Sequence, residues 1–155
     1  MLAVDDKRLF CERCQLYFSD SCPAHGPPHF IKDSAVLEGS HLSQGSIFGP
    51  YEGEGLLSRQ ACTKYSWAIK DKGFFFYVDG SDESKANWMR YVACASSETE
   101  QNLTVFQYHG RIYYRVSKET PAGWSCGCGS AGSTVPCWAF SWVTTCGLRL
   151  GRRRR

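Results

Sequence analysis

The sequence lacks the features of a membrane-spanning or secreted chain, and one end of it lacks acidic residues. No apolar run approaches the roughly 18 residues that a helix needs to cross a bilayer. The charged stretch 5–8 does not fit the apolar centre of a secretory signal. No aspartate or glutamate follows Glu119, whereas five of the eighteen basic residues do. We therefore expect a weakly acidic body with a basic tail, which argues against a nucleic-acid-binding surface over the whole body.

Size and composition predict one folded domain with reduced cysteines. The chain has 155 residues, of which 43% are hydrophobic and 21% charged. That length supports a core of ordinary size, and that balance does not indicate disorder. Nine cysteines are present, and an odd number without a signal peptide argues against a secreted disulfide framework. Reduced thiols, some of them bound to metal, are the expected alternative.

The middle of the chain predicts short strands and no long amphipathic helix. Residues 65–69 form a β-type run, and residues 74–78 are aromatic and β-branched throughout, which predicts a strand covered on both faces. The segment 79–82 has the composition of a turn. The strongest local pattern consists of the apolar-polar runs 103–108 and 111–116 on either side of His109-Gly110, which predicts a hairpin with a two-residue turn. Its first strand would turn residues 103, 105 and 107 to one face.

Four potential metal ligands lie within the first 45 residues of the chain, at Cys11, Cys14, Cys22 and His25. A Cys-x-x-Cys turn presents two thiolates to one ion, and the Cys-x-x-His pair repeats that spacing. Thiolates with an imidazole favour zinc over a hard cation, and four protein ligands leave no position for a reactive water, so the zinc would be structural. The other interpretation is a set of reduced cysteines beside a chance histidine. Cys126, Cys128, Cys137 and Cys146 in the tail are spaced loosely, and we expect no second metal site there.

Several sequence blocks follow one another in the middle zone. They are FGPYEG at 48–53, YSW at 65–67, VDGSD at 78–82, ANWMRYV at 86–92, EQNL at 100–103 and FQY at 106–108. In order and spacing these blocks resemble the PR/SET domain of the PRDM family, a group of SET-type histone-lysine methyltransferases. The segment DSAV at 33–36 is most similar to the member that positions meiotic recombination hotspots by marking histone H3, or to a close paralogue.

This resemblance implies a mostly β fold of the SET-type β-clip, the PR domain, with an N-terminal zinc knuckle. Residues 1–45 would form the knuckle and a linker, residues 46–121 a partial PR/SET domain, and residues 122–155 a divergent Gly/Cys/Arg-rich tail foreign to the fold. The family's activity is the transfer of a methyl group from S-adenosylmethionine to a lysine side chain, here of the histone H3 tail. The implied location is the nucleus, with chromatin as partner and no membrane, and the chain contains no DNA-binding zinc-finger array.

The family's functional positions carry over residue by residue. Tyr65, Ala93 and Cys94 match cofactor-binding positions, and Tyr51 and Tyr114 match supporting catalytic tyrosines near the lysine channel. The segment that matches the histone-peptide contacts comprises Cys62, Thr63, Lys64, Tyr65, Ser66, Trp67 and Ala68. Core packing alone is the other interpretation for the tyrosines.

The sequence departs from the family pattern at three points. The family has a few dozen residues, including a cofactor-binding loop, where this chain runs from Val36 to Phe48 within twelve residues. Ala93 stands where the hotspot-positioning member has asparagine, which removes one side-chain hydrogen bond worth about 1 kcal/mol. No tyrosine follows Tyr114, so the family's principal catalytic tyrosine is absent.

These departures leave other functions open. One is a non-catalytic zinc-binding fragment that takes part in chromatin or transcription interactions, and another is a misassembled gene product without activity. Because lost strands expose sheet edges, we also expect marginal stability or aggregation.

Overall fold

Short strands make up most of the structure, a computed structural model that describes residues 6–19, 21–31, 41–94, 99, 101–119 and 127–130. The predicted mostly β fold is confirmed. Within the described residues the only helices are two single 3-10 turns, Arg59–Ala61 and Trp88–Tyr91, neither of which could cross a membrane. The strands are β1 Leu9–Cys11, β2 Leu16–Phe18, β3 Phe30–Ile31, β4 Ile47–Phe48, β5 Glu54–Leu56, β6 Ser66–Asp71, β7 Phe74–Asp79, β8 Ala93–Cys94, β9 Leu103–Tyr108, β10 Arg111–Val116 and β11 Gly127–Ser130.

The predicted hairpin is confirmed and lies at the centre of a six-stranded sheet of order β3-β4-β10-β9-β11-β8. Tyr108 pairs with Arg111 across the turn. His109 and Gly110 both have positive φ, 46° and 69°, as a type I′ two-residue turn requires. Side chains alternate along β9 as predicted, because Leu103 and Val105 are fully buried and Gln107 is 8% exposed.

A second sheet has the order β5-β7-β6 and packs one face on the same core. Trp67 and Ile69 of β6 point into that core, together with side chains of β4, β9 and β10. The buried members of the core are Leu42, Phe48, Tyr51, Trp67, Ile69, Met89, Val92, Leu103, Val105, Ile112, Tyr114 and Val116. The core therefore fills the space between the two sheets.

The start of β7 differs from the sequence prediction. The prediction that residues 74–78 are covered on both faces is wrong at their beginning, since Phe74 is 79% and Phe75 37% exposed. The reason is the β6–β7 turn at Lys72 and Gly73, both with positive φ, which carries the first residues of β7 beyond the core. Burial becomes extensive only from Tyr77 onward.

One segment of the tail belongs to the six-stranded sheet. Gly127–Ser130 forms β11, which lies between β8 and β9 and runs parallel to both. These four residues thus pair with strands of the body, while the expectation that the tail diverges from the family stays a prediction. A Gly-Cys-Gly-Ser segment can enter between two strands because glycine adds no side chain to the crowded faces. The side chains of the tail cysteines lie outside the described part of the chain, so the expectation of no second metal site stays a prediction. The side chains of the terminal arginines also lie outside it.

The N-terminal segment is fastened to the outer face of β10 by a buried ion pair. The Arg115 Nε donates to the Glu12 Oε1 at 2.7 Å, and the two side chains are only 9% and 11% exposed. The guanidinium also lies over the rings of Phe10 and Phe106, at 4.8 and 5.5 Å from their centroids. Charge, hydrogen bonding and ring contacts therefore join the knuckle to the sheet at one residue of β10.

We expect Glu12→Gln to lower the free energy of unfolding by about 3 kcal/mol, because it leaves the Arg115 charge buried without its counterion. Urea denaturation measures the change. Glu119→Gln is the matched control, because the His41–Glu119 pair is more than half exposed, and such a pair contributes less than about 1 kcal/mol. Equal effects of the two substitutions would contradict the structural importance of the Glu12–Arg115 pair.

Candidate functional site

The four predicted metal ligands come together at one end of the β1–β2 hairpin. Cys11 ends β1, and the turn that follows presents Cys14. The second ligand pair lies on a turn closed by the hydrogen bond from the Gly26 N–H to the Cys22 carbonyl, 2.7 Å long. All four ligand atoms lie within 4.8 Å of one another. The sequence spacing therefore yields one cluster.

The distances within the cluster suit a tetrahedral ion. The His25 Nδ1 lies 3.6, 3.3 and 3.5 Å from the sulfur atoms of Cys11, Cys14 and Cys22, and the last two sulfurs are 3.5 Å apart. An ion bound at about 2.3 Å to sulfur and 2.0 Å to nitrogen separates its ligands by about 3.5 to 3.8 Å. The cluster therefore could hold a metal ion with little rearrangement.

The pKa values of the three thiols are shifted in different directions. The backbone N–H of Cys14 lowers the pKa of Cys11. Burial opposes ionisation of Cys22, but hydrogen bonds from the Ala24 N–H and from Cys14 outweigh it and lower its pKa. The hydrogen bond to Cys22 raises the pKa of Cys14 to about 11. Cys14 is thus the last of the three to ionise, and a bound metal ion requires all three thiols to lose their protons.

The predicted substrate segment 62–68 is held by the carboxylate of Asp79, which ends β7 opposite Ser66. The Asp79 Oδ1 accepts hydrogen bonds from Thr63 Oγ1 at 2.5 Å and Ser66 Oγ at 2.7 Å. Its Oδ2 accepts one from Ser81 Oγ. Although Asp79 is only 5% exposed and burial opposes its charge, these bonds lower its pKa. The sequence prediction treated this residue only as the start of a turn.

Tyr65 lies at the point where this segment meets the predicted cofactor strand. Its carbonyl accepts hydrogen bonds from the Tyr51 hydroxyl at 2.7 Å and the Gly80 N–H at 3.1 Å. A Cβ on Gly80 would approach the Tyr51 hydroxyl to 2.5 Å, so this position requires glycine. The guanidinium of Arg90 lies 4.4 Å from the Tyr65 ring centroid, and Arg90 precedes β8 by only three residues. The structure thus brings Tyr65 into contact with the segment that leads into β8, and the grouping of Tyr65 with Ala93 and Cys94 stays a prediction.

The two predicted catalytic tyrosines lie side by side in the core. Tyr51 and Tyr114 are 6% and 1% exposed, with ring centroids 6.3 Å apart. The Tyr51 hydroxyl donates to the Tyr65 carbonyl, and the Tyr114 hydroxyl accepts from Trp67 Nε1 at 3.1 Å. Both hydroxyls therefore support the segment that the resemblance assigns to the substrate, and their catalytic role stays a prediction.

The outer edge of β6 is partly closed by Gln107. Because Tyr65 and Gly80 form a hydrogen-bonded pair in this antiparallel ladder, the backbone groups of Ser66, Ala68 and Lys70 point away from β7. The Gln107 side-chain amide bonds both groups of Lys70, donating to its carbonyl at 2.8 Å and accepting from its N–H at 2.9 Å. Before Lys70, the Ser66 N–H is bonded to the Thr63 carbonyl at 3.1 Å, and the backbone groups of Ala68 point away from β7.

Sequence reasoning assigned no role in the site to Asp79, Arg90 or Gln107. For Asp79, the sequence contains one indication, namely the hydroxyl residues at positions 63, 66 and 81 that could donate hydrogen bonds to a buried carboxylate. Thr63 and Ser66 lie at the start of β6 and Ser81 lies just after β7, however, so only the register of these two strands brings them together. Arg90 and Gln107 belong to motif blocks, but their partners depend on tertiary packing.

Asp79→Asn should reduce stability at neutral pH by about 1 to 3 kcal/mol, because the amide leaves part of the hydroxyl network without an acceptor. The pKa of Asp79 is lower in the folded state, so its stabilisation is fully present above the ordinary value near 3.8 and is lost as pH falls below it. Urea denaturation at pH 7 and pH 3 measures both effects. Asp82→Asn is the control at an exposed carboxylate. A difference between wild type and Asp79→Asn that does not shrink at pH 3 would contradict this account.

Comparison with known proteins gives concordant matches. Residues 30–125 match the family model described as the PR domain of PR domain zinc finger protein 2. Human histone-lysine N-methyltransferase PRDM7 is 44% identical over 147 residues, covering 74% of this chain and 30% of the relative. Histone-lysine N-methyltransferase set-17 of Caenorhabditis elegans is 43% identical over 85 residues, covering 54% of this chain and 31% of that protein. The chain thus spans about a third of the length of these relatives.

The PRDM7 alignment also bears on the predicted shortening. It extends over 147 positions, although it takes in only 74% of a 155-residue chain. PRDM7 must therefore have residues inside the matched region that this chain lacks, as the shortening after Val36 requires. The match does not distinguish the hotspot-positioning member of the family, so that finer assignment stays a prediction.

A solved structure agrees with the sequence matches. The methyltransferase domain of human PR domain-containing protein 2 superposes with a TM-score of 0.54 at 30% identity, covering 62% of this chain and 67% of that one. The family model covers more than half of the chain, and its matched residues 30–125 include β3 to β10. On this evidence, the chain belongs to the PR domain family, whose matched relatives include named histone-lysine N-methyltransferases.

Proposed function

We propose that this chain carries the S-adenosylmethionine-dependent lysine N-methyltransferase function of the PR/SET type, with the histone H3 tail as substrate and chromatin in the nucleus as its setting. The observation that carries the proposal is the contact between Tyr65 and Arg90. It joins the segment assigned to the peptide with the segment leading into the β8 residues assigned to the cofactor. Relatives named as histone-lysine methyltransferases support the reaction class.

The cofactor would be held by Tyr65 and by the backbone of Ala93 and Cys94. Tyr65 is half-buried, so part of its ring is available to a ligand while its carbonyl is fixed by two hydrogen bonds. Backbone amides and an aromatic ring are suitable partners for the adenosine part of S-adenosylmethionine. When bound, that cofactor supplies a methyl group on a positively charged sulfur, and the protein's task is to align the lysine with it.

The peptide would bind along the outer edge of β6. The Ser66 carbonyl and both backbone groups of Ala68 point away from β7, and main-chain pairing along such an edge is a recurrent way of binding extended peptides. The Ser66 N–H is bonded to the Thr63 carbonyl at 3.1 Å, so this pairing would begin at the Ser66 carbonyl. Asp79 fixes the preceding turn through Thr63 and Ser66. From the core side, the Tyr51 and Tyr114 hydroxyls would support the segment 62–68 near the place where the substrate lysine would lie.

The knuckle would hold a structural zinc ion through Cys11, Cys14, Cys22 and His25. The three sulfurs and one nitrogen are the donor set that Zn²⁺ prefers, and their separations approach those of a tetrahedron. With four protein ligands the ion stabilises the knuckle and takes no part in the reaction. The knuckle is in turn fastened to β10 through Glu12 and Arg115.

A specific observation favours a second function, that of a non-catalytic zinc-binding interaction fragment. The Tyr51 and Tyr114 hydroxyls are both engaged in hydrogen bonds inside the core, and the principal family tyrosine is absent from the sequence. Such a fragment would bind zinc and its chromatin partner without turning over the cofactor. The two functions therefore differ in cofactor binding and methyl transfer.

For the zinc site, we expect one equivalent of zinc per purified chain, measured by elemental analysis. Cys14→Ser should weaken zinc binding about 10-fold or more, because a metal ligand is lost, and acidification should release zinc as protons compete for the thiolates. Cys62→Ser is the matched control, since this cysteine lies outside the cluster. Full zinc retention by Cys14→Ser, or no zinc in the wild type, would overturn the assignment.

For the reaction, calorimetry with S-adenosylmethionine should show one binding site on the 155-residue chain. Incubation with an H3-tail peptide should then add methyl groups to lysine, as detected by mass spectrometry. A peptide with every lysine replaced by arginine is the control and should gain none. Folded, zinc-loaded protein that binds no cofactor would overturn the enzyme proposal and favour the interaction fragment.

A further inference from the structure

Arg90 is fixed more firmly than most surface arginines. Its side chain is only 7% exposed. The Nε donates to the Gly80 carbonyl at 2.6 Å, one terminal nitrogen donates to the Ser81 carbonyl at 3.2 Å, and the other donates to Glu83 Oε1 at 2.8 Å. Three acceptors around a planar group determine both its position and its orientation.

The ring of Tyr65 lies against this fixed plane. The guanidinium carbon is 4.4 Å from the ring centroid, within the range of a favourable cation–π contact. The Tyr65 carbonyl is bonded by Tyr51 and by the Gly80 N–H. The backbone of Tyr65 is thus fixed by hydrogen bonds, and its ring is fixed by the contact with Arg90. Gly80 contributes to both, because its N–H bonds the Tyr65 carbonyl and its own carbonyl accepts from Arg90.

The contact is not needed to fill the core. Tyr65 is only partly buried, and neither Tyr65 nor Arg90 is a member of the buried apolar cluster. A half-exposed tyrosine without such a contact would lose side-chain conformational entropy when a ligand binds. Because Arg90 already fixes the Tyr65 ring, that entropy loss no longer reduces the binding affinity. The arrangement therefore contributes to the orientation of Tyr65, although the same guanidinium also lies 4.9 Å from the ring centroid of Tyr91.

We propose that Arg90 is a positioning residue that holds the Tyr65 ring in the orientation required for cofactor binding. The inference rests on the proposed function for the identity of the ligand, S-adenosylmethionine, but the ring contact itself can be examined without any ligand. Lysine at position 90 would keep the charge and lose both the planar stacking and the forked hydrogen bonds. Arg90→Lys therefore separates geometry from charge.

The test is a double-mutant cycle with Arg90→Lys, Tyr65→Leu and the combined variant. The probe is S-adenosylhomocysteine, the demethylated product, and calorimetry measures its Kd. We expect Arg90→Lys to weaken binding about tenfold in the wild-type background and to have no further effect once Tyr65 is leucine. An equal loss in both backgrounds, or no loss at all, would overturn the positioning role. Arg111→Lys, at an exposed arginine of β10, is the matched control.

Two further measurements keep the outcomes separate. Thermal unfolding of each variant verifies that binding is measured on folded protein. The NMR signals of the Tyr65 ring in ligand-free protein should shift in Arg90→Lys and stay unchanged in Arg111→Lys. If the wild type does not bind the probe, the proposed function fails. Unchanged ring signals in Arg90→Lys would in that case overturn the Arg90 inference independently.

Discussion

The carboxylate of Asp79 is the acceptor around which the candidate site is folded. Its two oxygens accept hydrogen bonds from hydroxyl groups of two segments, from Thr63 and Ser66 at the start of β6 and from Ser81 after β7. A buried charge is tolerated only when it is compensated by hydrogen bonds or a counterion. Here three hydroxyls supply that compensation, so the turn before β6 and the turn after β7 must form together. The next residue, Gly80, then connects this arrangement to Tyr65 and Arg90.

Strand β10 connects the knuckle with the site because its side chains alternate between two faces. Tyr114 points inward and accepts the hydrogen bond from Trp67 of β6. Arg115, the next residue, points outward and binds Glu12 of the knuckle. A shift of one residue in the register of β10 would exchange these two environments. Correct pairing of β10 with β9 is therefore required by the metal-binding segment and by the candidate site at once.

The elements that could be predicted from sequence are those specified by local chemistry. His109-Gly110 specifies its turn because both residues adopt positive φ, and the spacing of Cys11, Cys14, Cys22 and His25 brings those side chains together within one short segment. The exposure of Phe74 could not be predicted, since an apolar run does not reveal where the core ends. The Asp79 network and the Gln107 amide also depend on partners distant in sequence, and β11 depends on the gap between β8 and β9. Local patterns contain no information on such contacts.

The side chain of Gln107 also affects how this protein meets other copies of itself. Open strand edges are the usual starting points of intermolecular sheet growth. By binding both backbone groups of Lys70, one amide acts in place of a neighbouring strand and removes that residue from the edge. At the other end of β6 the Ser66 N–H is bonded to the Thr63 carbonyl, so little of this edge is left for a second strand to pair along. These two sets of hydrogen bonds thereby oppose intermolecular pairing along β6.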